Sequence, residues 1–201
     1  MQKRIQEIVN LESKAVTNIP IDKNYEKAIE LIHSSVHQNH GKLIASGMGK
    51  AGQIAINIAT TFSATGTPAV FLHPSDAQHG DLGVIQKNDI LLVVSNSGKT
   101  REILELLELS RNLCPKIHVI SLVGKSDSPL AEAADVVLTT GYPDEVCPLG
   151  LTPTTSTTVM TVIGDILVVL MMEKIKFSAD DYAKRHHGGY LGQKSRNIAK
   201  G

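Results

Sequence analysis

The sequence predicts an α/β fold, a three-layer sandwich in which a five-stranded parallel sheet is flanked by helices. Three observations predict it. Five short apolar runs recur along the chain, helical stretches separate them, and 201 residues suit one compact domain with a full core.

In chain order, two amphipathic helices come first, about 3–17 and 23–39, divided by Asn18-Ile19-Pro20. Strands are expected at 43–46, 69–72, 90–95, 117–122 and 136–139. Helices are expected at 50–64, 100–113, 128–133 and 153–175, the last opened by Pro153, where proline is favoured. The N-terminal helices thus precede an α/β core of about 41–192, with no internal repeat and no linker, and the tail after about Gly192 reads as loose.

Composition narrows the function. Lys+Arg and Asp+Glu are matched at 20 each, so no global field draws in nucleic acid or anionic membrane. Aromatic residues make up only 3% and Trp is absent, which removes stacking platforms for single strands. Cys114 and Cys147 lie far apart and form no Cys-x-x-Cys pair, so they are read as reduced thiols of a cytoplasmic protein. The N-terminus mixes Lys3, Arg4, Glu7 and Glu12 with apolar residues, unlike a signal peptide. The apolar run 159–172 is interrupted by Gly164 and Asp165 and reads as a buried core helix, short of the roughly 20 residues of a membrane span.

In open α/β sheets the ligand lies beyond the carboxyl ends of the strands. The loops there are 47–52, 73–83, 95–100, 123–128 and 141–151. Gly47-Met48-Gly49-Lys50-Ala51-Gly52 matches the dinucleotide pattern G-x-G-x-x-G. The second strand, however, ends Phe71-Leu72-His73 without the acid that would hold a ribose, and Lys50 crowds the turn. Gly98-Lys99-Thr100 resembles the end of a P-loop, but Val93 stands where its first glycine belongs. A dinucleotide and a nucleoside triphosphate are both rejected.

Ser95-Asn96-Ser97-Gly98-Lys99-Thr100 runs from a strand end into a helix N-terminus, where free amides and the helix dipole attract an anion. One cap needs one hydroxyl, and three are present, which favours a phosphate site. The hydroxyl cluster from Thr152 to Thr158 suits capping and packing as well as ligand contact. Acid–base candidates are Lys50, His79, Glu102, Glu145 and His186. Each has a plainer alternative: Glu102 as a first-turn acid, Asp144 and Glu145 as a solvated turn, and His186-His187 as part of a tail. His33, His37 and His40, at helical spacing, read as a solvated face rather than a metal site.

Taken in order, Gly47-Met48-Gly49-Lys50, His73-Pro74, His79-Gly80-Asp81-Leu82-Gly83 and Ser95-Asn96-Ser97-Gly98 resemble the sugar isomerase (SIS) domain of arabinose-5-phosphate isomerases. The run Glu145-Val146-Cys147-Pro148-Leu149-Gly150-Leu151-Thr152-Pro153-Thr154-Thr155-Ser156-Thr157-Thr158 strengthens the likeness, as do Gly164-Asp165 and His186-x-Gly188-Gly189-x-Leu191-Gly192. The blocks extend over roughly 43–192.

The resemblance implies an aldose–ketose isomerase converting D-ribulose 5-phosphate to D-arabinose 5-phosphate through an enediol, without a cofactor, in the supply of 3-deoxy-manno-octulosonate for lipopolysaccharide. By the same resemblance Lys50, Glu102, Glu145 and His186 match the catalytic set. His73 and His79 match substrate contacts, His73 being able to meet inhibitory zinc; Gly47, Gly49, Gly66, Thr67, Ser95, Asn96, Ser97 and Thr100 match the remaining substrate positions. The family implies a homotetramer with sites completed by neighbouring subunits, and a downstream nucleotide sugar could compete for the same pocket.

The sequence departs from the family pattern in three ways. Lys99 replaces a frequent glutamate, His187 replaces a proline, and the chain ends where the common form continues into a pair of CBS domains, so a stand-alone catalytic module is expected. Rival readings are a non-catalytic sugar-phosphate sensor on the same fold, or an isomerase of another phosphosugar.

Overall fold

The computed structural model describes residues 1–200. Helices α1 (Gln2–Thr17) and α2 (Asn24–Ile32) lead into the core, α2 running on into a wider π turn over His33–Gln38. The core follows as β1 (Leu43–Gly47), α3 (Gly49–Ala64), β2 (Ala69–Phe71), α4 (Pro74–Ala77), a 3₁₀ turn at Asp81–Val84, β3 (Ile90–Ser95) and α5 (Arg101–Leu113). Then come β4 (His118–Val123), α6 (Pro129–Glu132), β5 (Val136–Thr139), α7 (Thr155–Lys174), α8 (Ala179–Arg185) and α9 (Gly189–Lys200).

All five strands are parallel, in the order β2-β1-β3-β4-β5. β1 and β3 are buried throughout, because each face of the sheet is covered by its own apolar layer. On one face Ile58, Phe62, Leu92, Ile120, Ile163 and Leu167 join α2, α3 and α7 to the sheet. On the other, Leu91, Val93, Ile103, Leu106, Val119 and Leu130 join it to α5 and α6. The sheet reverses direction of growth between β1 and β3, and a crevice opens at the carboxyl ends of those two strands.

Helix α7 is apolar nearly all round because it is packed on several sides, by α1, α2 and α3. Its full extent, Thr155–Lys174, is long and apolar enough to cross a membrane, which the shorter run 159–172 had not suggested; half of its most apolar window is buried in the core. Gly164 permits close contact with α3, since a methyl group there would lie 2.5 Å from Ile58 Cγ1.

Several local expectations change. β4 begins and ends one residue later than the apolar run, and α7 begins at Thr155 rather than Pro153, which precedes the capping residue Thr154. The segment after Gly192 is helical, because α8 and α9 pack together and Gly192 lies so close to His186 that a Cβ would sit 2.2 Å from its carbonyl oxygen. The histidine face is not simply solvated. His37 bonds Thr67 Oγ1 through Nε2 at 3.1 Å and stacks on His33, and burial, then the His33 charge, holds its pKa below the usual value.

Candidate active site

A cleft of about 280 Å³ lies at the crevice between β1 and β3. The β1–α3 turn forms one wall. Gly49 takes φ +57°, a conformation that favours glycine, and Gly52 packs where a Cβ would be 2.6 Å from the Gly47 oxygen. This tight closure sets Lys50, exposed, in the first turn of α3 at the cleft edge.

The 95–100 loop forms the floor. Thr100 caps α5 by backbone conformation alone, which leaves its hydroxyl 3.2 Å from that of Ser95. Ser97 Oγ accepts from the Lys99 amide at 3.2 Å, and Gly98 turns at φ +61°. Hydroxyls and amides thus gather at the positive end of α5 with Lys50 opposite, an arrangement suited to a phosphate dianion. Asn96 Oδ1 is buried beside Gly124 without a hydrogen-bond partner among the described residues.

The first two turns of α7 close the cleft with Ser156, Thr157 and Met160. Behind it lies Glu145. Its carboxylate accepts from the Thr154 amide at 2.7 Å, the Thr154 hydroxyl at 2.9 Å, the Ser156 amide at 3.3 Å and the Ser156 hydroxyl. Burial alone would raise the Glu145 carboxyl, but these bonds outweigh it and leave the pKa below the ordinary value, ionised at neutral pH. Glu145 therefore works as a helix cap and reaches the cleft through Ser156. Most other hydroxyls of the 152–158 cluster are used internally: Thr155 donates to Glu12 at 2.9 Å, and Thr157 and Thr158 donate to the Thr154 carbonyl.

Apart from Glu145, the expected site residues separate into three groups. Lys50, Ser95, Asn96, Ser97 and Thr100 line the one cleft, with Gly47 and Gly49 shaping its wall. His73, His79 and Glu102 lie in the loops and first turns at the same end of the sheet but outside the cleft lining. His73 Nδ1 is 3.7 Å from Asp76 Oδ2, His79 is exposed, and Glu102 sits in the first turn of α5. Gly66, Thr67 and His186 lie at the opposite end. Gly66 and Thr67 precede β2, and Phe177, just beyond the carboxyl end of α7, packs on Gly66. His186 stacks on Tyr182, 3.8 Å between ring centres, and Tyr182 meets Phe177 edge-on. The 20 residues of α7 span about 30 Å, so one chain does not unite His186 with Lys50.

Sequence reasoning overlooked Tyr142. It lines the cleft at φ +53°, and the Lys125 ammonium stands 4.3 Å from its ring centre. Its signal was its scarcity, one of four tyrosines and placed in a strand-end loop. Cys147 reads from the sequence only as a thiol, yet its sulfur accepts from the amides of Thr152 at 3.1 Å and Leu151 at 3.2 Å. These bonds, that of Thr152 foremost, bring its pKa down to about 7.

Residues 36–170 match the SIS domain family. The arabinose 5-phosphate isomerase KdsD of Pseudomonas aeruginosa is 44% identical over 191 residues, covering 94% of this chain and 57% of that protein. The Yersinia pestis KdsD is 40% identical over 195 residues, 96% of this chain and 58% of that protein. The chain therefore spans little more than half the length of these curated relatives. A crystal structure from Bacteroides fragilis, assigned as a phosphosugar isomerase involved in capsule formation, superposes with a TM-score of 0.93 at 63% identity, covering 94% of this chain and 99% of that one. An Escherichia coli protein solved in complex with arabinose 5-phosphate superposes with a TM-score of 0.83 at 34% identity, covering 90% and 95%. A cleft at the β1–β3 switch point, the 95–100 loop and a family match over two thirds of the sequence lead to one conclusion: the chain belongs to the SIS domain family.

Proposed function

We propose that the protein is an aldose–ketose isomerase that interconverts D-ribulose 5-phosphate and D-arabinose 5-phosphate. The observation that carries the reading is the meeting of Lys50 with the Ser95, Ser97 and Thr100 hydroxyls in one cleft at the N-terminus of α5. Support comes from the arabinose 5-phosphate isomerases that share about two fifths of its residues and from the relative solved with arabinose 5-phosphate.

In this mechanism the 95–100 loop and the α5 dipole hold the phosphate, which fixes C1 and C2 near Lys50 and Ser156. A base removes the proton from C1 of the ketose, the C2 carbonyl oxygen gains a proton, and an enediol forms. Return of a proton to C2, with loss of the O1 proton, gives the aldose. No redox cofactor is needed. Lys50, as a cation, stabilises the negative charge on the sugar oxygens. Glu145, tied to Thr154 and Ser156, holds the α7 wall and, by accepting the Ser156 hydroxyl proton, leaves that oxygen to accept from the sugar. Since His186 stands at the far end of α7, it takes part as base only if delivered by a neighbouring copy, which accords with a homotetramer whose sites are shared. Glu102, His73 and His79 are assigned to the rim of the completed site, His73 being the position for inhibitory zinc.

The same reading assigns the enzyme to the cytoplasm and to the supply of 3-deoxy-manno-octulosonate for lipopolysaccharide, with a nucleotide sugar as competitor for the cleft. Incubation with D-ribulose 5-phosphate should yield D-arabinose 5-phosphate. Binding of the sugar phosphate with no turnover of it or of other phosphosugars would instead mean a sensor.

A further inference from the structure

A second and larger cleft, about 560 Å³, opens at the amino-terminal end of the sheet, away from the cleft already described. Its size is that of a small-molecule site, for which about 300–1,000 Å³ is usual. Three segments build it: the π turn after α2, residues 86–89 before β3, and residues 113–118 between α5 and β4.

Its lining is amphipathic in an ordered way. Leu31, Leu113, Pro115 and Ile117 supply an apolar surface, and Lys87, Lys116 and His118 supply cationic or titratable groups. The carboxylate in the lining, Asp89, is already neutralised. Its Oδ2 is 2.6 Å from Lys42 Nζ and accepts from the Gln86 amide at 2.7 Å, and its Oδ1 accepts from the Lys42 amide at 2.8 Å. His118 Nδ1 faces Asp135 at 3.6 Å. Lys87 and Lys116 form no ion pair among the described residues, so the cleft offers an anion two uncommitted positive charges.

A polar group also waits there. Ser35, 7% exposed, lines the cleft. The π turn that places it there is an uncommon element that recurs at functional sites. Asn88, in the lining, takes φ +72°, and His40, which follows the lining residue Asn39 in the chain, takes +59°. Gly41 fits against Asn88 so closely that a Cβ would stand 2.1 Å from the Asn88 oxygen, and Asn88 Nδ2 donates to the Asn39 carbonyl at 2.8 Å. Such a conformation persists where the surroundings impose it.

We propose that this cleft is a second ligand site, for an organic phosphate of nucleoside-monophosphate size. The phosphate is held by Lys87 and Lys116, the ring lies on the Leu113–Pro115–Ile117 surface, and Ser35 with the amides of Asn39 and Asn88 meets its polar edge. This inference does not depend on the isomerase reading.

Calorimetry with AMP tests it on the full chain. Binding is expected below about 1 mM, unchanged in Lys50→Ala, and weakened at least about tenfold when Lys87 and Lys116 are both changed to Glu. Hydrogen exchange on the unaltered protein gives a second readout, with AMP protecting residues 34–39, 86–89 and 113–118. Absence of heat up to about 1 mM, protection confined to 47–52 and 95–100, or loss of binding in Lys50→Ala would each overturn the proposal. So would adenosine or inorganic phosphate binding as tightly as AMP, since the site requires both halves of the ligand.

Discussion

Ser156 donates its hydroxyl to the Glu145 carboxylate and at the same time lines the cleft, so the charge of Glu145 meets a bound ligand only through that hydroxyl. The pair joins the strand-end loop to the first turn of α7. It makes a single carboxylate responsible for both a fold element and a site wall.

Replacing Glu145 by Gln should therefore act twice. A lost cap costs about 0.5–2 kcal/mol, readable by urea unfolding, and turnover should fall by about 10²-fold as the cleft wall is misplaced. Because the folded pKa is depressed, the Glu145 increment is present above the unfolded value of about 4.3 and is lost as pH falls through the lower folded value. The stability gap between wild type and Glu145→Gln should accordingly close below about pH 4. A gap that stayed constant through acid conditions would refute the cap.

Lys50 is exposed and makes no structural bond among the described residues. Lys50→Ala should leave the melting temperature unchanged while lowering kcat/KM for a pentose phosphate by about 10²-fold or more. Equal kcat/KM in the two proteins would remove Lys50 from the site.

Gly98→Ala tests the phosphate loop. The turn is at φ +61°, and the new methyl would stand 2.2 Å from Ser128 Oγ, at the cap of α6. A destabilisation of about 1–3 kcal/mol is expected, with weaker binding of inorganic phosphate. Unaltered phosphate affinity would show that the loop does not grip the anion.

Cys147 should react with iodoacetamide along a pH curve whose midpoint is about 7, as its amide-bonded sulfur requires. Mass spectrometry of the labelled peptide gives the curve directly. A midpoint at the ordinary thiol value of about 8.5 would mean that the Thr152 and Leu151 amides do not hold the sulfur in solution.

The distance between His186 and Lys50 makes a mixing experiment decisive. Lys50→Ala and His186→Ala, each impaired alone, should recover activity when refolded together, because some shared sites would then be intact. Failure to recover would confine His186 to its own chain.

The sheet was legible because its strands are mostly apolar and its loops carry their signals locally: Ser95 to Thr100 form a strand end, a turn and a helix start within six residues. The C-terminal helices were not legible, because Tyr190, Leu191 and Ile198 remain exposed and Gly189 and Gly192 read as breakers. Glu145 was found as an acid, but its bonds run to Thr154 and Ser156, nine and eleven residues away, and no periodicity announces them. The π turn was likewise hidden, since His33 to Gln38 continue the helical pattern of α2 and only the backbone hydrogen bonding changes.

Ile58 and Gly164 each lie eight residues, about 12 Å, beyond a cleft-wall residue of the same helix, Lys50 on α3 and Ser156 on α7. Their touching point acts as a pivot shared by both walls. A bulkier residue at 164 would be a wedge driven between two rods, and the mouth of the cleft would change its gape although no residue in it had changed.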